Sequence, residues 1–197
     1  MKVIGLAGWS GAGKTTLVAK LLPALIARGL RVSTIKHAHH AFDLDTPGKD
    51  SWVHRQSGAT EVLVSSGRRW ALMRELRGGE EPGLPDLLTK LADVDLVIVE
   101  GFKSEAYPKI EIHRQANGKP TLFQDDPTIV GIATDAVVSS KLPVAGLDDV
   151  EAIAAMALQS AIARENLPEL AAAISRRAAR ASERPVSVAS SAELAAS

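Results

Sequence analysis

The apolar positions near the start of the chain change their spacing in a way that predicts three successive elements. Residues 3–7 form a short apolar run, which is typical of a buried strand. Over residues 15–27 the apolar side chains recur at helical spacing, and Gly29 follows as a helix-ending residue. Residues 31–35 predict a second strand. A strand, a helix and a strand in this order form a βαβ unit, which favours a parallel sheet covered on both faces.

The same alternation of strands and helices continues along the chain. The clearest later strand is 95–101, DLVIVEG, in which an unbroken apolar run ends at Glu100. Further strands are predicted over 61–66, 69–73, 109–114 and 128–134, and further helices over 50–56, 85–91 and 149–163. The pattern therefore predicts an α/β fold of three layers, in which a mostly parallel sheet carries helices on both faces.

The composition of the chain changes at Glu165. Residues 1–164 are expected to form one domain. Residues 165–197 are rich in Ala, Ser and Arg and contain few side chains that could pack a core. This appendage, to which we assign no role, is predicted to form a loose helix over 167–180 and to be disordered beyond Pro185.

Charge and composition exclude several classes of protein. The 23 Lys and Arg residues balance the 23 Asp and Glu residues, so nothing in the overall charge favours a nucleic-acid or anionic-membrane partner. The absence of cysteine excludes disulfides and thiolate metal sites. No apolar stretch reaches the roughly 18 residues of a membrane span, and the first residues are too short an apolar run for a signal peptide. We therefore expect a cytoplasmic protein without nucleic-acid or membrane partners.

The first predicted strand runs directly into a glycine-rich loop that matches G-x-x-x-x-G-K-[ST]. The loop comprises Gly8, Trp9, Ser10, Gly11, Ala12, Gly13, Lys14 and Thr15. Glycines let the backbone N–H groups converge on a phosphate, and the following helix directs its positive end at the same place. In this pattern Lys14 contacts the β- and γ-phosphates, and the Thr15 hydroxyl ligates Mg²⁺. The sequence therefore predicts a phosphate-binding loop (P-loop) and a P-loop NTPase-like fold.

Glu100 ends the apolar strand 95–101, where a carboxylate would lie beside the metal ion or its water. Gly101 would let the backbone turn sharply next to the nucleotide. The alternative is an exposed glutamate at the end of a strand. Lys103 either faces the phosphates or belongs to the surface.

The segment 36–59, KHAHHAFDLDTPGKDSWVHRQSGA, has the most unusual composition, because it holds four of the five histidines. It begins where doubly wound sheets bind their ligands. Three interpretations are open: a solvated polar loop, a zinc or nickel site, and a switch-like loop that brings Asp45 to Mg²⁺. The spacing H-x-H-H fits no standard ligand pattern, so we favour the switch-like loop.

Asp135 follows the predicted strand 128–134 and bears on the choice of base. Its carboxylate could accept both N1–H and N2–H₂ of guanine, which adenine does not offer. It could equally start a turn. The spacing of the motifs alone does not separate GTP from ATP.

Four segments together resemble the MobB family of molybdopterin-guanine dinucleotide biosynthesis adaptor proteins. They are GWSGAGKTTL, IKHAHHAFDLDTPGKDSWVHRQSGA, RRWALM and VIVEGFK. The resemblance covers roughly residues 1–162, and the histidine-rich segment is its most specific part. It implies a GTP-binding homodimer with Mg²⁺ and at most weak GTPase activity. The implied partner is a MobA-like guanylyltransferase, which attaches GMP to molybdopterin to give molybdopterin guanine dinucleotide.

The resemblance also implies roles for individual positions. The phosphate loop extends over 8–16 and so includes Thr16. If the chain hydrolyses GTP, Lys14 and Glu100 are the expected catalytic residues. The implied metal-side residues are Thr15, Asp45 and Glu100. The family's basic and histidine positions correspond to Lys36, His37, His40 and Lys49. Arg69 and Trp70 match a family stretch to which we assign no role. The pterin is hypothesised to lie in a groove across the dimer, lined by the histidine-rich segment and by Arg68 and Arg69.

Two functions from other classes remain as alternatives. The first is an ATP-dependent ligase resembling dethiobiotin synthetase, which also has a P-loop and a Glu-Gly strand end. The second is a metal-insertion GTPase, for which the histidines would bind nickel or zinc.

Overall fold

The computed structural model describes residues 1–38 and 42–182. The strands are β1 (Lys2–Ala7), β2 (Val32–Lys36), β3 (Glu61–Ser65), β4 (Trp70–Arg74), β5 (Leu96–Glu100), β6 (Lys109–His113), β7 (Ile129–Thr134), β8 (Val144–Gly146) and β9 (Ile162–Ala163). The helices are α1 (Lys14–Ala27), α2 (Asp50–Gln56), α3 (Leu84–Leu88), α4 (Val150–Ser160) and α5 (Leu167–Ser182), with 3-10 turns at Gln115–Asn117 and Arg164–Asn166.

One sheet of seven strands organises the molecule. Its order is β2-β5-β1-β6-β7-β8, and β9 pairs with β1 beside this path. All neighbours along the path run parallel, and β9 runs antiparallel to β1. Parallel neighbours bring the carboxyl ends of β1, β2 and β5 to the same edge of the sheet. The prediction of a mostly parallel sheet is confirmed.

The side chains of β1 alternate between two apolar clusters, one on each face of the sheet. Ile4 and Leu6 belong to the cluster that includes buried residues of α1 and α4. Val3 belongs to the other cluster, with Leu84 and Leu88 of α3 and Phe102. Because both faces of the central strand are buried, the sequence of β1 is continuously apolar instead of alternating. Helices cover both faces, as the three-layer prediction required.

The prediction of one helix over 149–163 is wrong at its end. Helix α4 stops at Ser160, and Ala161 turns into extended backbone with φ −64° and ψ 131°. Residues Ile162–Ala163 then pair with Val3 and Lys2 of β1. Strand β6 pairs only with Gly5–Ala7 of β1, so the first residues of β1 offer backbone groups that β9 satisfies. Sheet pairing thus overrides the helical propensity of an alanine-rich segment.

The predicted strands over 61–66 and 69–73 form a unit of their own. β3 and β4 make a two-stranded antiparallel sheet, which is separate from the central sheet. The hairpin turn is closed by Ser66, whose hydroxyl donates to the Arg69 carbonyl at 3.1 Å.

β8 was not predicted, since it is only three residues long.

The C-terminal segment begins with packing contacts. The expected boundary at residue 164 falls at the 3-10 turn before α5, and Leu167 at the start of α5 is buried in the cluster that contains Val3. The helix expected over 167–180 corresponds to α5. The disorder expected beyond Pro185 concerns residues outside those described. None of the described helices combines the length and apolar character needed to span a membrane.

Candidate functional site

The glycine-rich loop lies at the carboxyl end of β1 and leads into α1. Gly8, Gly11 and Gly13 have φ values of 152°, 80° and 96°, in the region that favours glycine. A Cβ atom at Gly8 would lie 2.5 Å from the Ile112 carbonyl oxygen, so β6 also requires a glycine there. Gly13 is the N-cap of α1, whose first residues therefore direct their backbone N–H groups toward the loop.

Lys14 is the first residue of α1, and its side chain folds back along the loop. Its Nζ donates to the carbonyl oxygens of Gly8 and Trp9 at 2.8 and 3.1 Å. Burial lowers the pKa of Lys14, Glu100 opposes this shift, and the cations Lys103 and Lys36 reinforce it. The ammonium is thus held among other charges at the mouth of the loop, where a polyanion would relieve their repulsion.

The loop borders a cavity of about 450 Å³, a volume typical of small-molecule sites. The cavity is lined by Ser10, Gly11, Gly13, Lys14, Thr15, Thr16, Lys36 and Glu100. All of these were predicted site residues, and they come from α1, the loop, β2 and β5. Gly8 and Trp9 belong to the loop but lie behind the residues that line the cavity, and Ala12 is buried beneath the loop.

Glu100 and Lys36 face each other at the ends of neighbouring strands. They are register partners in the β2–β5 pair, and Lys36 Nζ lies 3.8 Å from Glu100 Oε1. The Glu100 side chain is 18% exposed. Of the described residues that line this cavity, Glu100 is the single carboxylate, together with two lysines and the hydroxyls of Ser10, Thr15 and Thr16. Hydroxyl and carboxylate oxygens are ligands that Mg²⁺ prefers, so Thr15 and Glu100 fit the ion beside a phosphate chain.

Asp45 precedes α2 and belongs to a different cluster, which it forms with side chains of that helix. Its Oδ1 accepts from the Ser51 hydroxyl at 2.8 Å, and its Oδ2 lies 3.6 Å from Arg55 Nε. Arg55 also bridges Asp43 and Glu75, and the hydrogen bond from Arg55 holds the pKa of Asp43 below its usual value. Asp45 does not line the cavity in the described part of the chain. Its predicted contact with Mg²⁺ would require this cluster to open, and it stays a prediction.

The histidine-rich segment divides in the structure. His37 lies beside Glu81, with 2.7 Å between Nε2 and Oε1, and its ring lies 4.8 Å from the ring of Phe102. It lines a neighbouring cavity instead of the loop cavity. Lys49 is exposed as the N-cap residue of α2. His39 and His40 lie outside the described residues, and within the described ranges no three His, Cys, Asp or Glu side chains are placed to hold a metal ion.

Asp135 follows β7, and its carboxylate is anchored to the protein. Oδ1 accepts from the Gln115 backbone N–H at 2.7 Å, and Oδ2 lies 3.5 Å from Arg114 Nη1. The carboxylate therefore holds the first residue of the 3-10 turn Gln115–Asn117, and the predicted alternative, that Asp135 starts a turn of its own, stays untested. The guanine contact stays a prediction, in which Oδ2 would accept from the base.

Sequence reasoning missed the residues that follow β6. A Cβ at Gly13 would lie 3.4 Å from Arg114 Nη2, which places the guanidinium against the glycine loop. Asn117 Nδ2 donates to the Ser10 carbonyl at 3.2 Å, and Trp9 Nε1 donates to the Pro120 carbonyl at 2.8 Å. No motif marks Arg114 or Asn117, because their position depends on the parallel pairing of β6 with β1.

Comparison with known proteins gives one consistent result. The model of the family MobB, described as molybdopterin guanine dinucleotide synthesis protein B, matches residues 3–135. A molybdopterin-guanine dinucleotide biosynthesis adapter protein from Escherichia coli (strain K12) is 42% identical over 155 residues, which cover 77% of this chain and 89% of the relative. Its counterpart of the same name from Haemophilus influenzae is 46% identical over 136 residues, which cover 68% of this chain and 74% of the relative.

A solved structure gives the same result for the fold. A crystal structure described as molybdopterin-guanine biosynthesis protein B superposes with a TM-score of 0.64 at 29% identity, and the alignment covers 80% of this chain and 98% of that chain. The family match spans all of the described residues that line the loop cavity.

Proposed function

The chain belongs to the MobB family, and from this premise we propose that it binds GTP with Mg²⁺ in the loop cavity as an adaptor for a partner guanylyltransferase. The relatives are named for the biosynthesis of molybdopterin guanine dinucleotide. In the proposed role, a MobA-like partner attaches GMP to molybdopterin in the cytoplasm while this chain presents or orders the nucleotide.

One observation carries the nucleotide assignment: the loop, Lys14, Lys36 and Glu100 converge on one cavity at the carboxyl end of the central strand. Backbone N–H groups of the loop and the start of α1 bind phosphate oxygens, and the lysines neutralise their charge. Thr15 and Glu100 hold Mg²⁺, which neutralises further phosphate charge when it is bound. Asp135 supports GTP over ATP, because its carboxylate can accept from N–H donors that guanine offers and adenine lacks. It follows β7, on the opposite side of β1 from Glu100.

Hydrolysis is proposed to be weak. The carboxylate at the metal side, Glu100, is paired with Lys36 and is therefore a poor base. Arg114 lies against the loop but is held by Asp135. We expect turnover below about 1 s⁻¹, the lower end for working enzymes.

A calorimetric titration of the full chain with a non-hydrolysable GTP analogue and Mg²⁺ tests the proposal. Lys14→Ala removes a charge-assisted contact to phosphate and should weaken binding about 10–100-fold. Lys20→Ala is the matched control on the same helix, since Lys20 pairs with Asp148 outside the cavity. Lys14→Ala should also abolish stimulation of GMP transfer by a purified guanylyltransferase, whereas Lys20→Ala should not. Equal affinities in the two variants would remove Lys14 from the site.

Homodimer formation is proposed through the β3–β4 hairpin. Leu63 and Leu72 are register partners, so they share one face of the hairpin with Trp70 and its partner Ser65. The exposed fractions of the three apolar residues are 61% for Leu63, 48% for Leu72 and 67% for Trp70. Such a patch on a hairpin outside the main sheet is suited to burial against a second copy of the chain.

A further inference from the structure

A second cavity of about 320 Å³ lies beside the loop cavity, at the carboxyl ends of β2 and β5. It is lined by His37, Glu81, Pro82, Gly83, Phe102, Lys103, Ser104 and Glu105. Glu100 and Lys36 of the loop cavity directly precede Gly101 and His37, so the two cavities are neighbours along the same sheet edge. Lys103 lines the second cavity and also lowers the pKa of Lys14 in the first.

The backbone that forms this cavity is held in an uncommon conformation. Phe102 is a non-glycine residue with φ 49°, and Gly101 before it has φ 105°. A Cβ at Gly101 would lie 2.5 Å from His37 Cβ, so only glycine lets the two segments approach. The Tyr107 hydroxyl donates to the Gly101 carbonyl, and the Glu105 N–H donates to the Phe102 carbonyl at 3.0 Å. Such strain persists where the surrounding contacts hold it, and it concentrates at ligand sites.

The walls of the cavity combine ring faces with hydrogen-bond acceptors. The rings of His37 and Phe102 lie 4.8 Å apart, tilted by 44°. One carboxylate oxygen of Glu81 lies within hydrogen-bond distance of His37 Nε2, and one carboxylate oxygen of Glu105 accepts from the Leu84 N–H at 2.9 Å. For the second oxygen of each carboxylate, the described residues supply no hydrogen-bond donor. A planar ring with several N–H donors fits this combination, because it stacks on the aromatic side chains and donates to the carboxylates.

Resting on the proposed function, we propose that this cavity binds the pterin: a bicyclic 2-amino-4-oxopyrimidine whose N–H edge meets Glu81 and Glu105 and whose anionic arm points to Lys103. Among the described residues, Arg68 and Arg69 do not line this cavity.

Guanine carries the same 2-amino-4-oxopyrimidine edge, but it occupies a different place. The proposed base contact, Asp135, follows β7, which lies two strands from β1 on the side of β6. The second cavity lies at β5 and β2, on the opposite side of β1. The loop cavity separates the two positions, so a nucleotide and a pterin bind to the chain together.

Fluorescence titration of the full chain with 6-carboxypterin, with and without a saturating non-hydrolysable GTP analogue and Mg²⁺, tests the inference. We expect saturable binding of the pterin under both conditions. Glu81→Gln should raise the pterin Kd by about tenfold, since it removes a charge-assisted acceptor. Glu80→Gln is the matched control, because Glu80 is an exposed neighbour that does not line the cavity.

The outcomes separate this inference from the proposed function. Absence of pterin binding, displacement of the pterin by the GTP analogue, or equal Kd values in Glu81→Gln and Glu80→Gln would overturn the pterin assignment. A chain that binds 6-carboxypterin but no guanine nucleotide would instead remove the nucleotide from the proposed function while the cavity assignment stands.

Discussion

At the scale of a single residue, Asp135 makes a structural contact and is proposed to contact the base, and the two roles can be separated chemically. One oxygen fixes the 3-10 turn at Gln115, and the other lies 3.5 Å from Arg114. A guanine would meet this second oxygen through its N–H donors. Asparagine keeps an oxygen for the Gln115 N–H but replaces one acceptor with a donor, so Asp135→Asn should preserve the turn and alter the choice of base.

We therefore expect Asp135→Asn to lower GTP affinity by about tenfold or more and to raise affinity for xanthosine triphosphate, whose C2 oxygen accepts where guanine donates. Competition titrations with the two nucleotides provide the measurement. Unchanged selectivity in a folded variant would assign Asp135 to the turn alone.

The tyrosine absorption of the chain reports on one buried residue, Tyr107, because the chain has a single tyrosine. Its side chain is fully buried, and burial raises its pKa, with smaller contributions from Glu105 and Asp126. An ordinary tyrosine ionises near pH 10. The folded chain should therefore show no tyrosinate absorption at about pH 11, whereas the urea-unfolded chain should titrate near pH 10.

The same shift has a consequence for stability. The pKa of Tyr107 is higher in the folded chain than in the unfolded chain. The contribution of the protonated side chain to the free energy of unfolding is therefore complete below about pH 10 and is lost as the pH rises further. Tyr107→Phe removes this dependence at a cost of about 1 kcal/mol in its hydrogen bond to Gly101. The free energy of unfolding should fall more steeply with alkaline pH in the wild type than in this variant; parallel curves would contradict the assignment.

At the scale of elements, β1 and the segment entering β6 meet with almost no space between them. A Cβ at Gly5 of β1 would lie 2.2 Å from Cε2 of the Tyr107 ring. The ring cannot withdraw easily, since its hydroxyl is bonded to Gly101. Gly5→Ala should thus destabilise the chain by about 1–3 kcal/mol through overpacking.

Gly146→Ala is the matched strand control, because no neighbouring atom lies within 4 Å of its added Cβ. Its free energy of unfolding in urea should change by less than about 1 kcal/mol. If both alanine variants unfold at the same urea concentration, the contact between Gly5 and Tyr107 contributes nothing to stability.

Elements also differ in how far the sequence predicts them. The strand, glycine loop and helix at residues 2–27 were predicted because a periodic apolar pattern and a specific motif agree over the same span. Strand β9 was missed because its two residues lie in an alanine-rich segment, and only the open backbone of Lys2 and Val3 makes them extended. Arg114 and Asn117 were missed for a related reason, since only strand pairing brings them to the loop.

At the scale of the whole molecule, the exposed apolar face of the β3–β4 hairpin determines the expected assembly. Leu72→Glu places a charge on the proposed contact between copies and should convert a dimer into a monomer, as measured by light scattering after gel filtration. Val137→Glu is the control, because Val137 is fully exposed and lies outside the hairpin. A wild-type chain that is monomeric, or a Leu72→Glu variant that remains dimeric, would reject the hairpin as the interface.

The sequence by itself determined the α/β class, the position of the glycine-rich loop between β1 and α1, and the family, because these depend on local periodicity and on residues adjacent along the chain. The tertiary structure decided which distant residues share a site. Through the pairing of β2 with β5, it placed Lys36 and Glu100 beside the loop. It also paired Asp45 with Arg55, a residue of α2. It also brought His37 to Phe102 and Glu81. Such contacts depend on strand order and side-chain packing, which no stretch of sequence records locally.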